Sequence, residues 1–226
     1  MLITLVIIGV VAALTIPNLM QKYTEQTTVK KVQKFYSNLS NAYALAKKEN
    51  GEFNEWGLTG RNSQSAEKIY QILFNPYFKI AKDCGVNNTG NCIGNTNYKT
   101  LAGSTHYKYG TETQFYKIML QDGAAVWMFD AGYTDNNIVI INYDANGIKE
   151  PNQYGKDLFD FKINKDVAYP SGSPKYDGLT TFKNNCNKNA SGASGASCAA
   201  WVVYKGNMDY LHCDGLTWKS HSCKDK

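Results

Sequence analysis

MLITLVIIGVVAALTI opens the chain: sixteen residues without a charge, and the first Lys waits until position 22. A helix built on this run is apolar all round, so lipid or other helices must cover it. It is a poor secretory signal. Nothing basic precedes Leu2, and Thr15-Ile16-Pro17-Asn18 is a weak cleavage site. At about 1.5 Å per residue the run reaches only about 24 Å, short of the roughly 30 Å of a hydrocarbon core. Nor does the helical pattern stop there. Val29, Val32, Tyr36, Leu39, Tyr43 and Ala46 follow at steps of three and four, the stripe of an amphipathic helix. Lys30, Lys31, Lys34, Lys47 and Lys48 line its other side, and Asn50-Gly51 supplies a stop. The spacing predicts one helix of two halves: 1–22 for lipid or helix partners, 23–51 for packing on a globular head. Pro17 lacks an amide proton and is expected to bend or loosen the helix.

The run LITLVIIGVVAALTIPNL closely resembles the N-terminal helix of type IV pilins and type II secretion pseudopilins. Pro17 and the small residues Gly9, Ala12 and Ala13 match that pattern. The resemblance implies an α+β head, a stage in the inner membrane before assembly, and then a cell-surface, periplasmic or extracellular filament. Its partners would be copies of itself or other pilins. There is one departure. Mature subunits of that family begin with Phe-Thr-Leu-Ile-Glu or similar, after a Gly cut by a prepilin peptidase that also carries out methylation. This chain enters the pattern a few residues late, at Met1. The expectation is a start site further upstream; the added residues would let the helix span and make the peptidase a partner.

Six cysteines occur in close pairs. Cys84 and Cys92 bracket GVNNTGN, Cys186 and Cys198 bracket NKNASGASGAS, and Cys213 and Cys223 bracket DGLTWKSHS. Fifteen connectivities are open to six cysteines, but Gly-, Asn- and Ser-rich loops close easily, and three local disulfides in an oxidising compartment are expected. Zinc knuckles need CxxC spacing, which is not present. The formal net charge of +5 is spread along the chain without a dense basic stripe, so nucleic acid is not an expected partner.

A length of 226 residues suits one domain on a helical stalk. After a Gly-, Asn- and Ser-rich linker (Gly57 to Ser65), Ile69, Ile72 and Leu73 predict a helix over Ala66 to Phe74. Four strand-like runs follow: Phe115–Gln121, Ala124–Asp130, Asn137–Tyr143 and Leu158–Asn164. Asp122-Gly123 reads as a two-residue hairpin turn, and Gly132 to Asn136 as the next turn. Helix then antiparallel meander is α+β, with the head over 52–183 and a cysteine-stapled C-terminal lobe over 184–226. Within the lobe, CAAWVVYKGNMDYL reads as strand with Lys205-Gly206-Asn207 as its turn.

Two places invite a site. YDANGIKEPNQYGKDLFDF carries Asp144, Asn146, Glu150, Asn152 and Asp157, hard oxygen donors suited to calcium. Turn chemistry also accounts for Asn146-Gly147 and Pro151-Asn152. The spacing is not that of an EF-hand, although the stretch resembles a pseudopilin loop that holds calcium in some relatives. Trp201, Tyr204, Tyr210 and Trp218 could form a sugar- or partner-binding surface or the core of the lobe. No catalytic constellation is legible. His106, His212 and His221 are scattered, and no HExxH, Gly-x-Ser-x-Gly or phosphate loop is present. The chain reads as a structural subunit, a major or minor pilin or pseudopilin. The rival reading is a monomeric membrane-anchored surface binding protein or adhesin that uses the aromatic lobe.

Overall fold

A computed structural model describes residues 2–94, 96–132, 138–187, 189 and 194–225, with 2–7 and 225 described by backbone alone. Helix α1 is continuous over Leu2–Asn50, 49 residues with Pro17 inside it. Beside the proline, Thr15 Oγ1 donates to the Val11 carbonyl (2.8 Å) and Asn18 Nδ2 to the Leu14 carbonyl (3.4 Å). Past Gln26 the helix meets the head, and Val29, Val32, Phe35, Leu39, Ala42, Tyr43 and Ala46 are buried. The buried aromatic is therefore Phe35, stacked on Tyr143 at 4.1 Å, with Tyr36 at the flank of the stripe. The helix stops where the sequence places the stop: Gly51 takes φ 79°, a left-handed conformation that glycine adopts without strain.

The helix predicted over Ala66 to Phe74 starts earlier. α2 spans Ser63–Ile69, with the Asn62 side chain capping the Ser65 amide at 2.8 Å. It continues into a π-helical turn, Tyr70–Phe74, closed by the Asn75 amide on the Tyr70 carbonyl. The linker's last residues thus belong to the helix.

Six antiparallel strands then form a meander in sequence order: β1 Ile80–Gly85, β2 Tyr116–Leu120, β3 Ala125–Asp130, β4 Val139–Asp144, β5 Leu158–Ile163 and β6 Ala168–Pro170. The four central strands are those expected. The two edges escaped the sequence reading for physical reasons. β1 is mostly solvent-facing and bulged, with register shifts between Ile80 and Lys82 and between Asp83 and Gly85. β6 has three residues and ends on a proline, which only an edge tolerates. The β2–β3 hairpin has three loop residues rather than two. Leu120 donates to the Ala124 carbonyl, and Gly123 takes φ 83°, so the Asp-Gly signal served a turn with a left-handed third position. The expected turn at Gly132 to Asn136, and the start of the strand at Asn137, lie largely outside the described residues.

Alternation gives the sheet two different faces. Ile118, Val126, Met128, Ile141, Tyr143, Phe161 and Ile163 face α1 in one core. Ala125, Trp127, Phe129 and Leu158 face the other way, under Ile93, Tyr98, Tyr109, Phe115 and Tyr154. The chain between β1 and β2 supplies most of that second cover.

The expected C-terminal strand is a helix, α4, over Ala199–Lys205. Val202-Val203-Tyr204 has strand-like composition, but tertiary packing decides. Ala199, Ala200, Trp201 and Val202 are all buried, and Gln33 of α1 donates to the Val203 carbonyl at 3.2 Å. Gly206, at φ 69°, receives the helix end through its amide on the Val202 carbonyl. It is a C-cap, not a hairpin turn. A shorter helix, α3, spans Leu179–Asn185. The disulfides are the three local ones, Cys84–Cys92, Cys186–Cys198 and Cys213–Cys223. Three disulfides suit an oxidising location, extracellular or periplasmic.

Candidate functional site

The loop between β4 and β5 folds back on itself and gathers four of the five named oxygen donors. Asp157 is the hub. Its carboxylate accepts the amides of Asn152 (2.8 Å) and Gln153 (2.6 Å) and Nδ2 of Asn146 (3.2 Å). Asp144, at the end of β4, accepts the Asn146 amide at 3.2 Å and the Tyr98 hydroxyl at 2.8 Å. Both carboxyls are buried, 0% and 3% exposed. Burial pushes Asp144 well above the usual carboxylate range, and the charge of Asp157 pushes it further. Burial also raises Asp157, against the pull of its amide donors. Asn152 is held at φ 50°, after the cis Glu150–Pro151 bond. Glu150 stands apart: it is exposed, and it enters the cluster through its carbonyl, which accepts from Asn146.

Two oxygens in this loop are buried and without a partner, Oδ1 of Asn146 and Oδ1 of Asn152. Such orphans are uncommon and costly in a folded protein. Two carboxylates and two amide oxygens form a donor set that fits a hard divalent cation such as calcium, whose charge would offset the repulsion between Asp144 and Asp157. Among the described residues no group of three His, Cys, Asp or Glu converges, so the amide oxygens are necessary to any such site.

The loop is zipped to the segment that covers the outer face. The amides of Lys99 and Tyr154 bond to the carbonyls of Asn152 and Lys99, and Gln153 Nε2 donates to the carbonyls of Thr100 and Leu101 (2.9 and 3.1 Å). Beneath lies a polar layer that the sequence reading missed. Tyr109 and Tyr154 share a hydroxyl bond of 2.8 Å, Asn142 Nδ2 reaches Tyr154 at 3.2 Å, and Asn142 also contacts Asp160. Asn142 and Asp160 alternate with the apolar residues of β4 and β5, a pattern that does not separate a covered polar face from a wet one. The signal in the sequence for a cover on this face is the aromatic density of Tyr98, Tyr107, Tyr109 and Phe115.

The C-terminal aromatics form core rather than a shared surface. Trp201 is fully buried, stacked on Phe182 at 4.6 Å, and Tyr210 is buried with its hydroxyl on the Gly155 carbonyl. Tyr204 is exposed, and Trp218 packs partly buried against the same cluster. The histidines sit in separate environments. His106 lies edge-on to Tyr154, with burial lowering its pKa, and His212 contacts both Glu25 oxygens at 3.0 and 2.9 Å. Cys213 beside it is oxidised. That helix-to-lobe contact borders an open groove of about 1000 Å³ between Asn18–Lys30 and Gly206–His212.

The most exposed apolar surface is on the stalk. Ile8, Val10, Val11, Leu14, Ile16, Leu19, Met20 and Tyr23 are 54–69% exposed. Among the described residues, no helix is long and apolar enough to cross a membrane.

The profile of a family described as "Family of unknown function (DUF6613)" matches residues 18–206. The chain belongs to that family. The DUF6613 match takes in α1 from Asn18 onward, the whole meander and α4, and so includes the Asp144–Asp157 loop; the apolar run before residue 18 lies outside it. No curated protein and no solved structure matches the chain.

Proposed function

We propose that this DUF6613 chain is a structural, non-catalytic subunit of a filament of the pilin kind, a major or minor pilin or pseudopilin of a type IV pilus or a type II secretion-like system. The observation that carries the reading is the division of α1. One half is anchored in the head by a buried stripe, and the other extends away with large apolar side chains exposed on all sides. Exposed apolar surface on this scale needs a partner. In the proposed cycle the apolar half rests in the inner membrane and then exchanges lipid for the helices of neighbouring subunits, at small net cost. Gly9, Ala12 and Ala13 allow close approach. The head, stapled by disulfides, faces outward, and calcium in the 144–157 loop would stiffen its surface.

The test is a truncation. Removing residues 1–22 is expected to release a soluble, folded head that keeps the helical signal of 23–50, while the full chain stays with membranes or detergent. A truncated head that aggregates or loses its helix, or a full chain that stays monomeric in plain buffer, would refute the reading. The adhesin alternative draws no support from the lobe, because Trp201 and Tyr210 are buried.

A further inference from the structure

Asp160 stands on β5, on the outer face, only 8% exposed. Its carboxyl meets neutral groups: the Asn142 amide across the strand pair, and the Tyr154 hydroxyl. Tyr154 is bonded in turn to Tyr109, and the ring of His106 lies 5.2 Å from that of Tyr154. Of the cations on this face, Lys162 of β5 is engaged at 2.8 Å by Asp177, and Lys117 of β2 is engaged by the carbonyls of Val86, Glu112 and Phe115. The other carboxyl on this face, Asp144, is two residues along β4 from Asn142 and bonded to Tyr98. A buried carboxylate with no cation of its own is costly. Asn142 carries a matching defect: its Oδ1 is buried and accepts from nothing.

We propose that Asp160 is a proton-operated switch in the outer-face layer, neutral in one state and charged in the other, with the Asn142 amide and the Tyr154 hydroxyl reorienting between them. A single proton taken from solvent removes the uncompensated charge and gives Asn142 Oδ1 its donors, while Nδ2 takes over the unpartnered place. With Asp160 protonated, the Asn142 amide turns over, and its Oδ1 accepts from the Asp160 hydroxyl and from Tyr154. When the proton returns to solvent, Asn142 Nδ2 and the Tyr154 hydroxyl both donate to the carboxylate, and Tyr109 donates to Tyr154. The charged state leaves Asn142 Oδ1 orphaned under the 98–115 cover.

Burial lifts Asp160 from 3.8 to about 7, although Asn142, Tyr154 and Lys162 all favour its charged form. The folded chain therefore holds this proton at pH values where the unfolded chain has released it. The contribution of Asp160 to stability is fully present below about 4 and is lost as pH rises to about 7.

The experiment follows the side-chain carboxyl carbons of aspartate by NMR in the full chain, held in neutral detergent, from pH 4 to pH 9. The Asp160 signal is assigned by its loss in Asp160→Asn. It is expected to titrate with a midpoint near 7, and amide exchange at Tyr98 and Tyr154 should accelerate through the same midpoint beyond the intrinsic rise. In Asp160→Asn, which mimics the neutral state, the fold should persist and that extra acceleration should vanish. A midpoint near 4, exchange that ignores the titration, or an Asn variant that fails to fold would each overturn the proposal.

Discussion

The two faces of the meander bury comparable lengths of strand by opposite means. The face toward α1 is apolar from Ile118 across to Ile163, with Asp130 at its end accepting two backbone amides. The other face buries Lys117, Asn142, Asp144 and Asp160 among Trp127, Tyr98, Tyr109 and Tyr154. The first is held by area removed from water and by ring packing. The second is held by hydrogen bonds that must all be made, and its orphaned oxygens mark where they are not. A helix suffices to cover an apolar face. A polar face needs a tailored cover, supplied here by irregular chain tied down by Cys84–Cys92 and by the Lys99–Gln153 pairing.

The largest effect is expected on the apolar side. Phe161 is fully buried and packs against Phe35 at 5.1 Å. Phe161→Ala leaves a cavity between sheet and helix and should cost about 3–5 kcal/mol, read by urea unfolding. A loss below about 1 kcal/mol would mean that α1 is not seated on the sheet as described. On the polar side, Lys117 is fully buried, and its ammonium caps the carbonyls of Val86, Glu112 and Phe115. Lys117→Met keeps the stem and strands three acceptors, so about 1–3 kcal/mol should be lost. Proteolysis should then begin in the 86–115 cover, not in the sheet. Global unfolding without local nicking would erase the distinction between the faces.

This contrast also explains what the sequence disclosed. The apolar face was legible because periods of two and of three or four can be read directly: Val29 to Ala46 on α1, and Val139, Ile141 and Tyr143 on β4. The cysteine pairs were legible from loop composition. The polar face was not, because alternation cannot separate an acid that meets solvent from one that meets a tyrosine. Asp144 and Asp157 were noticed only for their density of oxygen donors, and Asp160 not at all. α4 was misread because two valines and a tyrosine favour a strand, and only the contact with α1 shows that a helix fits there.

The smallest effect tests the part of the polar face that reaches the surface. In the 144–157 loop the charge of Asp157 opposes that of Asp144, and Oδ1 of Asn146 and Asn152 have no donors. Protons relieve the first strain at low pH, and a hard cation relieves both at neutral pH. Millimolar calcium should therefore raise the melting temperature at pH 7.5 by several degrees, growing with the logarithm of ligand excess, because only the folded loop converges. Lowering the pH should weaken the response, since protonating either carboxyl removes ligand charge. Asp144→Asn separates the two effects: it ends the repulsion without a cation, so the chelated melt should hold steady or rise while the calcium shift disappears. If calcium shifts the variant as much as the native chain, the ion acts elsewhere. If neither responds, the orphaned amides are met by water and the loop is a turn held by Asp157 alone.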